Sequence, residues 1–376
     1  MKIIADEHIP YIRDYFGGLG ELILKPGRAI NHDDVNDADM LLVRSVTPVT
    51  SALLRDSTVK FVGSVTAGLD HLDTHWLRQA GIAFSGAPGF NAPPVADYVV
   101  CVLAALQRKQ LFPQMYARAA VIGVGHVGRL VADRLRLLGI DVVLCDPLRK
   151  ALEPNFPHTP IEEIERVDLV CLHAPLTDSG EFPTHHFINK DFLQRQKSGC
   201  VLLNAGRGAL IDEADLMACG SHLRWCFDVF AHEPHFDKAL LEHAIIASPH
   251  IAGYSVQAKM RGTEMIYRAA LQNNMLASAE RPAVSMPRQQ LTFAGSQHHW
   301  QDVVMGIFNP IVMTAMMRAV LLPADNMAAM FDEMRLQFNY RHEFAFTDVV
   351  SDDLLPEDKR VLTGLGIGPQ QGQVSA

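Results

Sequence analysis

The chain has 376 residues, 48% of them hydrophobic and 20% charged, with a formal net charge of −9. That length exceeds one ordinary core and implies two or three domains, and the apolar content is that of a globular protein. The acidic balance argues against nucleic acid or an anionic membrane as partner, because both call for a basic face.

The longest apolar stretch, about 98–106, falls far short of a bilayer span. The opening residues turn acidic at Asp6 and Glu7, too early for a signal peptide. Cys101, Cys145, Cys171, Cys200, Cys219 and Cys226 are scattered, mostly in apolar runs, and no pair has metal-ligand spacing. They predict buried free thiols, a reducing cytoplasm and no metal site. His71 and His75 are spaced for one helix face, but no third ligand accompanies them.

In chain order, residues 2–5, 22–24, 40–43, 61–65 and 82–85 are short apolar runs separated by polar connectors, as in a parallel α/β unit. The Pro/Gly cluster 87–94 predicts a hinge, and 95–109 has the apolar density of a buried helix. From there the pattern is βα-repetitive. Strands are expected over 120–123, 141–145, 168–172, 200–204, 225–229 and 245–247, with helices over 129–138, 161–166, 190–194 and 213–218. Residues 257–273 predict one long helix, and the tail beyond 282 carries fewer strand cues. Its methionine-rich stretch, 311–317, is expected as helix core.

Gly123-Val124-Gly125-His126-Val127-Gly128 lies between an expected strand and an expected helix. Such glycines allow a tight turn and a close backbone approach to a pyrophosphate at a helix N-terminus. Alone the pattern is weak, but Asp146 ends the next strand, where a carboxylate accepts both ribose hydroxyls of NAD and repels a 2′-phosphate. NAD is therefore favoured, with Arg149 nearby keeping NADP as the lesser reading.

Three residues then follow apolar runs in succession: Arg207 in Asn-Ala-Gly-Arg-Gly, Glu233 in Asp-Val-Phe-Ala-His-Glu-Pro, and His250 in Pro-His-Ile-Ala-Gly-Tyr. Each alone has an ordinary alternative: a helix cap, a turn residue, a satisfied core histidine. Together they suit oxidation of a 2-hydroxy acid. Arg207 would hold the carboxylate by a two-pronged contact, and His250 would take the C2 hydroxyl proton. Glu233 would bind the far imidazole nitrogen and set its tautomer.

These motifs resemble the D-2-hydroxyacid dehydrogenases over about residues 1–280. The resemblance implies a Rossmann-type NAD-binding domain (95–254), a flavodoxin-like substrate domain (1–94 with 255–285) and a small C-terminal α+β dimerisation domain (286–376). It implies NAD contacts at Gly123, Gly125, His126, Val127, Gly128, Asp146, Ala174, the backbone of Ala205, Gly206 and Arg207, Asp228 and Gly253. It further implies a small phosphorylated 2-hydroxy acid held by Ser45, Thr66 and Tyr254, and a homodimer. Two positions depart from the family pattern: Ala174 stands where Thr is expected, and Gly206 where a larger residue is. The phosphate needs its own cation, for which Arg341 is the candidate. The rival readings are another member of the family, such as a phosphoglycerate dehydrogenase, and an NADH-sensing corepressor-like protein.

Overall fold

A computed structural model describes residues 1–276, 284–294, 298–338, 341–351 and 353–368. The chain divides into two compact units, Met1–Asn91 with Ser255–Pro287 and Ala92–Tyr254 with Arg288–Ala376.

The first unit is a parallel sheet of β1 (Lys2–Asp6), β2 (Glu21–Lys25), β3 (Met40–Val43), β4 (Phe61–Ser64) and β5 (Ala83–Ser85), in the order β2-β1-β3-β4-β5. Both faces of the central strands are covered. Ile3, Ala5, Met40, Leu42 and Phe61 belong to one cluster, and Ile4, Leu41, Val43 and Val62 to the other. That is why these strands read as continuous apolar runs rather than alternating ones. The helix Val256–Gln272 packs on the first face through Ile266, whose methyl sits 2.4 Å from where a Cβ on Gly63 would lie.

The second unit is a parallel sheet of six strands: β6 (Arg118–Ile122), β7 (Asp141–Cys145), β8 (Leu169–Leu172), β9 (Val201–Asn204), β10 (Arg224–Phe227) and β11 (Ile246–Ala247). Their order is β11-β10-β9-β8-β6-β7. Chain direction across the sheet reverses between β6 and β8, the switch point at which such sheets open a crevice at their carboxyl ends. The helix Ala92–Arg108 begins inside the cluster expected to be a hinge. Pro93 and Pro94 occupy its first turn, where a missing N–H costs nothing. The expected helix over 161–166 is only the 3₁₀ turn Ile161–Glu163, because Ile164 and Val167 turn into the core.

Within the tail, β12 (Gln289–Phe293) pairs in parallel with β13 (Thr347–Ser351). The helix Trp300–Ile307 packs on Ala92–Arg108. The helix Pro310–Leu321 covers the β11 edge, where the Ala247 amide donates to Thr314 Oγ1 at 2.9 Å. Residues 369–376, part of the expected tail domain, lie outside the described residues. Among the described residues no single helix is long and apolar enough to cross a membrane.

Candidate active site

The strand-to-helix turn after β6 is shaped by close packing. Gly123 has φ +83°, and a Cβ there would lie 2.4 Å from the Ala174 amide nitrogen beyond β8. A Cβ on Gly128 would meet the Gly123 carbonyl at 2.0 Å, so strand and helix approach closely. Gly125 differs: nothing lies within 4 Å of its Cβ position, and it forms the N-cap of the helix His126–Leu137. The first amides of a helix have no partner within it, and here His126 and Val127 begin the helix directly after the glycine turn. This is a backbone cradle of the kind a pyrophosphate occupies.

Asp146 stands at the end of the neighbouring β7. Its carboxylate accepts the Val124 amide at 2.8 Å and the Arg149 amide at 2.9 Å, tying β7 to the glycine turn. The Arg149 guanidinium is itself engaged by the Val124 carbonyl and Glu153, and lies 4.4 Å from the Phe156 ring. A guanidinium held this way is poorly placed to serve a 2′-phosphate, so the residues present fit NAD better than NADP. Beside Ala174, both ring nitrogens of His173 are buried without hydrogen-bond partners, and burial pushes its pKa down to about 3.

Arg207 follows β9 on a turn clamped by Asn204. The Asn204 side chain accepts the Gly206 amide at 3.0 Å and donates to the Arg207 carbonyl at 2.8 Å. The Asn204 clamp therefore limits the backbone freedom that a glycine brings at Gly206. A Cβ there would lie 3.0 Å from the Leu172 carbonyl, a close approach. Gly208 is stricter still, since its Cβ would fall 1.9 Å from the Phe230 carbonyl carbon. That approach sets the Arg207 turn directly against the loop carrying Glu233.

The β10 loop and the β11 loop meet at two carboxylates. Glu233 Oε2 lies 2.7 Å from His250 Nδ1, and its Oε1 accepts the Phe230 amide at 2.7 Å. Burial works to raise the Glu233 carboxyl, but the charge and hydrogen bond of His250, the Phe230 amide and the Arg335 cation hold it below its ordinary value. An ionised partner on Nδ1 fixes the proton there and leaves Nε2 as the acceptor. His250 itself adopts φ +56°, the left-handed region.

Asp228 braces this conformation. Its Oδ1 accepts the Ser248 hydroxyl at 2.6 Å and the Ile251 amide at 2.9 Å, its Oδ2 accepts the Ala252 amide at 2.9 Å, and its carbonyl accepts the His250 amide at 2.7 Å. Because Ser248 spends its proton on Asp228, the buried Tyr98 hydroxyl must donate to Ser248, at 2.8 Å. Burial raises the Asp228 carboxyl above its ordinary value despite His250 and these donors. Gly253 and Tyr254 continue the same loop, and the Tyr254 hydroxyl accepts from Arg335 Nη2 at 3.1 Å.

In the first unit, Ser45 is exposed just beyond β3 and Thr66 follows β4. Thr66 donates to the Gly68 carbonyl at 2.7 Å, so Ser64 must donate to Thr66 and His71 Nε2 to Ser64, at 2.7 and 2.8 Å. Burial lowers the His71 pKa against the pull of Asp70, in keeping with a neutral ring in that chain. Arg341 does not fit the expected role. It is 6% exposed, donates to the Pro94 and Ala252 carbonyls at 2.7 Å each, and lies 4.7 Å from the Phe308 ring. It supports the Ala252 backbone from beneath and presents no face to a substrate. Arg335 was missed because its partner Tyr254 is far away in the chain and no local motif marks it.

Burial pushes the thiols of Cys101, Cys145, Cys200 and Cys226 up to about 12, so they are packing groups rather than nucleophiles. Among the described residues no group of three or more His, Cys, Asp or Glu side chains is disposed to hold a metal ion.

Comparison with known proteins gives the family. Residues 107–252 match the family described as D-isomer specific 2-hydroxyacid dehydrogenase, NAD binding domain. A protein of Coxiella burnetii (strain RSA 493 / Nine Mile phase I) named erythronate-4-phosphate dehydrogenase is 46% identical over 347 residues, 92% of this chain and 94% of that protein. Proteins of the same name from Cellvibrio japonicus and Escherichia coli O157:H7 are 39% and 37% identical, covering 92% and 94% of this chain and 93% and 95% of theirs. In fold, the chain is similar to D-lactate dehydrogenase from Aquifex aeolicus complexed with NAD and lactic acid, with TM-score 0.59 and 22% identity over 73% of this chain and 96% of that one. NAD-bound 3-phosphoglycerate dehydrogenase from Entamoeba histolytica gives TM-score 0.61 and 21% identity, over 74% and 97%. The chain belongs to the D-2-hydroxyacid dehydrogenase family and, within it, to the erythronate-4-phosphate dehydrogenases.

Proposed function

We propose that the chain catalyses the NAD-dependent oxidation of 4-phospho-D-erythronate to 2-oxo-3-hydroxy-4-phosphobutanoate, a step of pyridoxal 5′-phosphate (vitamin B6) biosynthesis. The observation that carries the chemistry is the 2.7 Å Glu233–His250 pair, set on a loop against which the Arg207 turn packs. Arg207 holds the substrate carboxylate and thereby positions C2. His250 Nε2 removes the C2 hydroxyl proton as the carbonyl forms, and ionised Glu233 stabilises the resulting imidazolium. Bound NAD supplies the acceptor for the C2 hydride. Gly123, Gly125, His126, Val127 and Gly128 hold its pyrophosphate through their backbone, and Asp146 binds its ribose. Ala174, the Ala205–Gly206–Arg207 backbone and Gly253 line the same cofactor, and Asp228, expected among them, instead braces the loop from its buried position. Ser45, Thr66 and Tyr254 contact the substrate.

The same reading includes a homodimer in a reducing cytoplasm. On the helix Pro310–Leu321, Val312, Met316 and Val320 recur one turn apart and are 52%, 51% and 37% exposed, an apolar stripe suited to a second copy. Free rather than paired cysteines suit a reducing compartment. The acidic net charge disfavours nucleic acid and anionic membrane.

The experiment is steady-state NADH formation with 4-phospho-D-erythronate and with 3-phosphoglycerate. A kcat/KM at least about a hundredfold higher for the four-carbon acid, of the order a polar-group discrimination provides, is expected. Equal or reversed preference contradicts the substrate, and NADH binding without turnover of any 2-hydroxy acid contradicts the enzyme.

A further inference from the structure

Arg335 donates to Tyr254 and helps hold Glu233 ionised, and no substrate contact has so far been assigned to it. It lies on the helix Met327–Leu336, which is anchored by fully buried Phe331. The Phe331 ring stands edge-on to Phe236 at 5.7 Å, and Phe236 stacks on Phe230 at 4.1 Å. Phe230 is the residue whose amide binds Glu233. The helix is thus keyed to the same loop that carries the catalytic carboxylate.

One turn beyond Phe331, the Arg335 guanidinium carbon lies 5.8 Å from the Phe331 ring and 5.9 Å from the Tyr254 ring. Rings on two sides leave its plane little freedom. Nη2 donates to the Tyr254 hydroxyl at 3.1 Å, while Nε is buried with no hydrogen-bond partner among the described residues. A buried N–H left unmatched calls for an acceptor. Burial works against the charge, but Tyr254 and Glu233 hold the Arg335 pKa above its ordinary value, so the group stays cationic. Arg341 shares the unmatched nitrogens, at Nε and Nη1, but it is sunk beneath the loop, gives Nη2 to the Pro94 and Ala252 carbonyls, and has its pKa lowered by burial where that of Arg335 is raised.

We propose that Arg335, held in place by the Tyr254 hydroxyl, binds the phosphomonoester of the substrate. A planar fork with an unmatched Nε–H suits a tetrahedral dianion, which offers oxygens in pairs. Arg207 then takes the carboxylate at one end and Arg335 the phosphate at the other, fixing which way round the acid lies. The assignment rests on 4-phospho-D-erythronate as substrate.

The test compares 4-phospho-D-erythronate with D-erythronate, which lacks the phosphate, in wild type, Arg335→Ala and Arg335→Lys. Arg335→Ala is expected to raise KM for the phosphorylated acid about thirtyfold or more, the scale of a lost charge-assisted pair, with a much smaller change in kcat. For D-erythronate, which keeps only what Arg335 contributes through Glu233 and Tyr254, the loss in kcat/KM is expected to be about tenfold smaller than for the phosphorylated acid. Arg335→Lys recovers part of the KM. Equal losses on both acids, or no loss on either, overturn the proposal. NADH binding reports whether Arg335→Ala is folded. If it is not, Arg335→Lys decides: a KM rise confined to the phosphorylated acid supports the proposal, and an unselective one overturns it. A wild type that does not turn over 4-phospho-D-erythronate overturns the substrate reading itself, and this assignment with it. That outcome is distinct from a wild type that works and a variant that fails to discriminate.

Discussion

Asp228 and Glu233 share the loop after β10, yet their surroundings drive them in opposite directions. Asp228 accepts protein donors on both oxygens, its carboxyl is raised by burial, and its partners are Ser248 and the backbone around His250. Glu233 gives one oxygen to a backbone amide and the other to the His250 ring, and its carboxyl is held low. The loop therefore separates architecture from chemistry. One carboxylate builds the left-handed turn that carries the imidazole, and the other stays ionised to serve it.

The largest expected effect that bears on this division is His250→Ala. Loss of a positioned general base should lower kcat by about 10³-fold or more, with NADH binding retained by fluorescence titration. Near-normal turnover would remove His250 as the base. Arg207→Lys should follow, with kcat/KM down about a hundredfold, because a point charge cannot reproduce a two-pronged contact. Unchanged kinetics would count against that role.

Asp228→Ala leaves the Ile251 and Ala252 amides and the Ser248 hydroxyl without their acceptor. It should destabilise the fold by about 2–3 kcal/mol in urea titration. A variant of wild-type stability that had lost only activity would place Asp228 with the chemistry instead. Glu233→Gln should weigh the other way, lowering kcat/KM about tenfold or more with a loss of stability at neutral pH smaller than that of Asp228→Ala.

The two carboxylates also differ in sign on titration. The Glu233 carboxyl is depressed in the folded state, so its stabilisation is present above its ordinary value of 4.5 and is lost as pH falls through the folded value. The melting difference between wild type and Glu233→Gln should shrink as pH is taken below that range. Asp228 is raised, so its contribution is complete below its ordinary value of 3.8 and is lost as pH rises through the folded value. At neutral pH its ionised form is therefore maintained at a cost, which its three donors partly offset.

Much of this was readable from the chain. The strands β1 to β11 are short apolar runs because parallel strands covered on both faces need no polar side, and their positions followed from that alone. The tail strands β12 and β13 were not readable. Gln289–Phe293 alternates half-buried and exposed positions, and its partner strand is far away in sequence. The helix at Ala92 started earlier than expected because proline breaks a helix only beyond its first turn. At the site, Arg207, Glu233 and His250 stood out because each follows an apolar run in a local motif. What positions them did not stand out. The Tyr98–Ser248–Asp228 chain and the Arg335–Tyr254 contact join residues distant in sequence, and such pairs leave no local pattern.

If Glu233 acts through His250, the two are one catalytic unit, and a double-mutant cycle on kcat measures this directly. The His250→Ala/Glu233→Gln double variant should be no slower than His250→Ala alone. A further loss in the double variant equal to that of Glu233→Gln by itself would show the two side chains working independently, and would contradict the pairing.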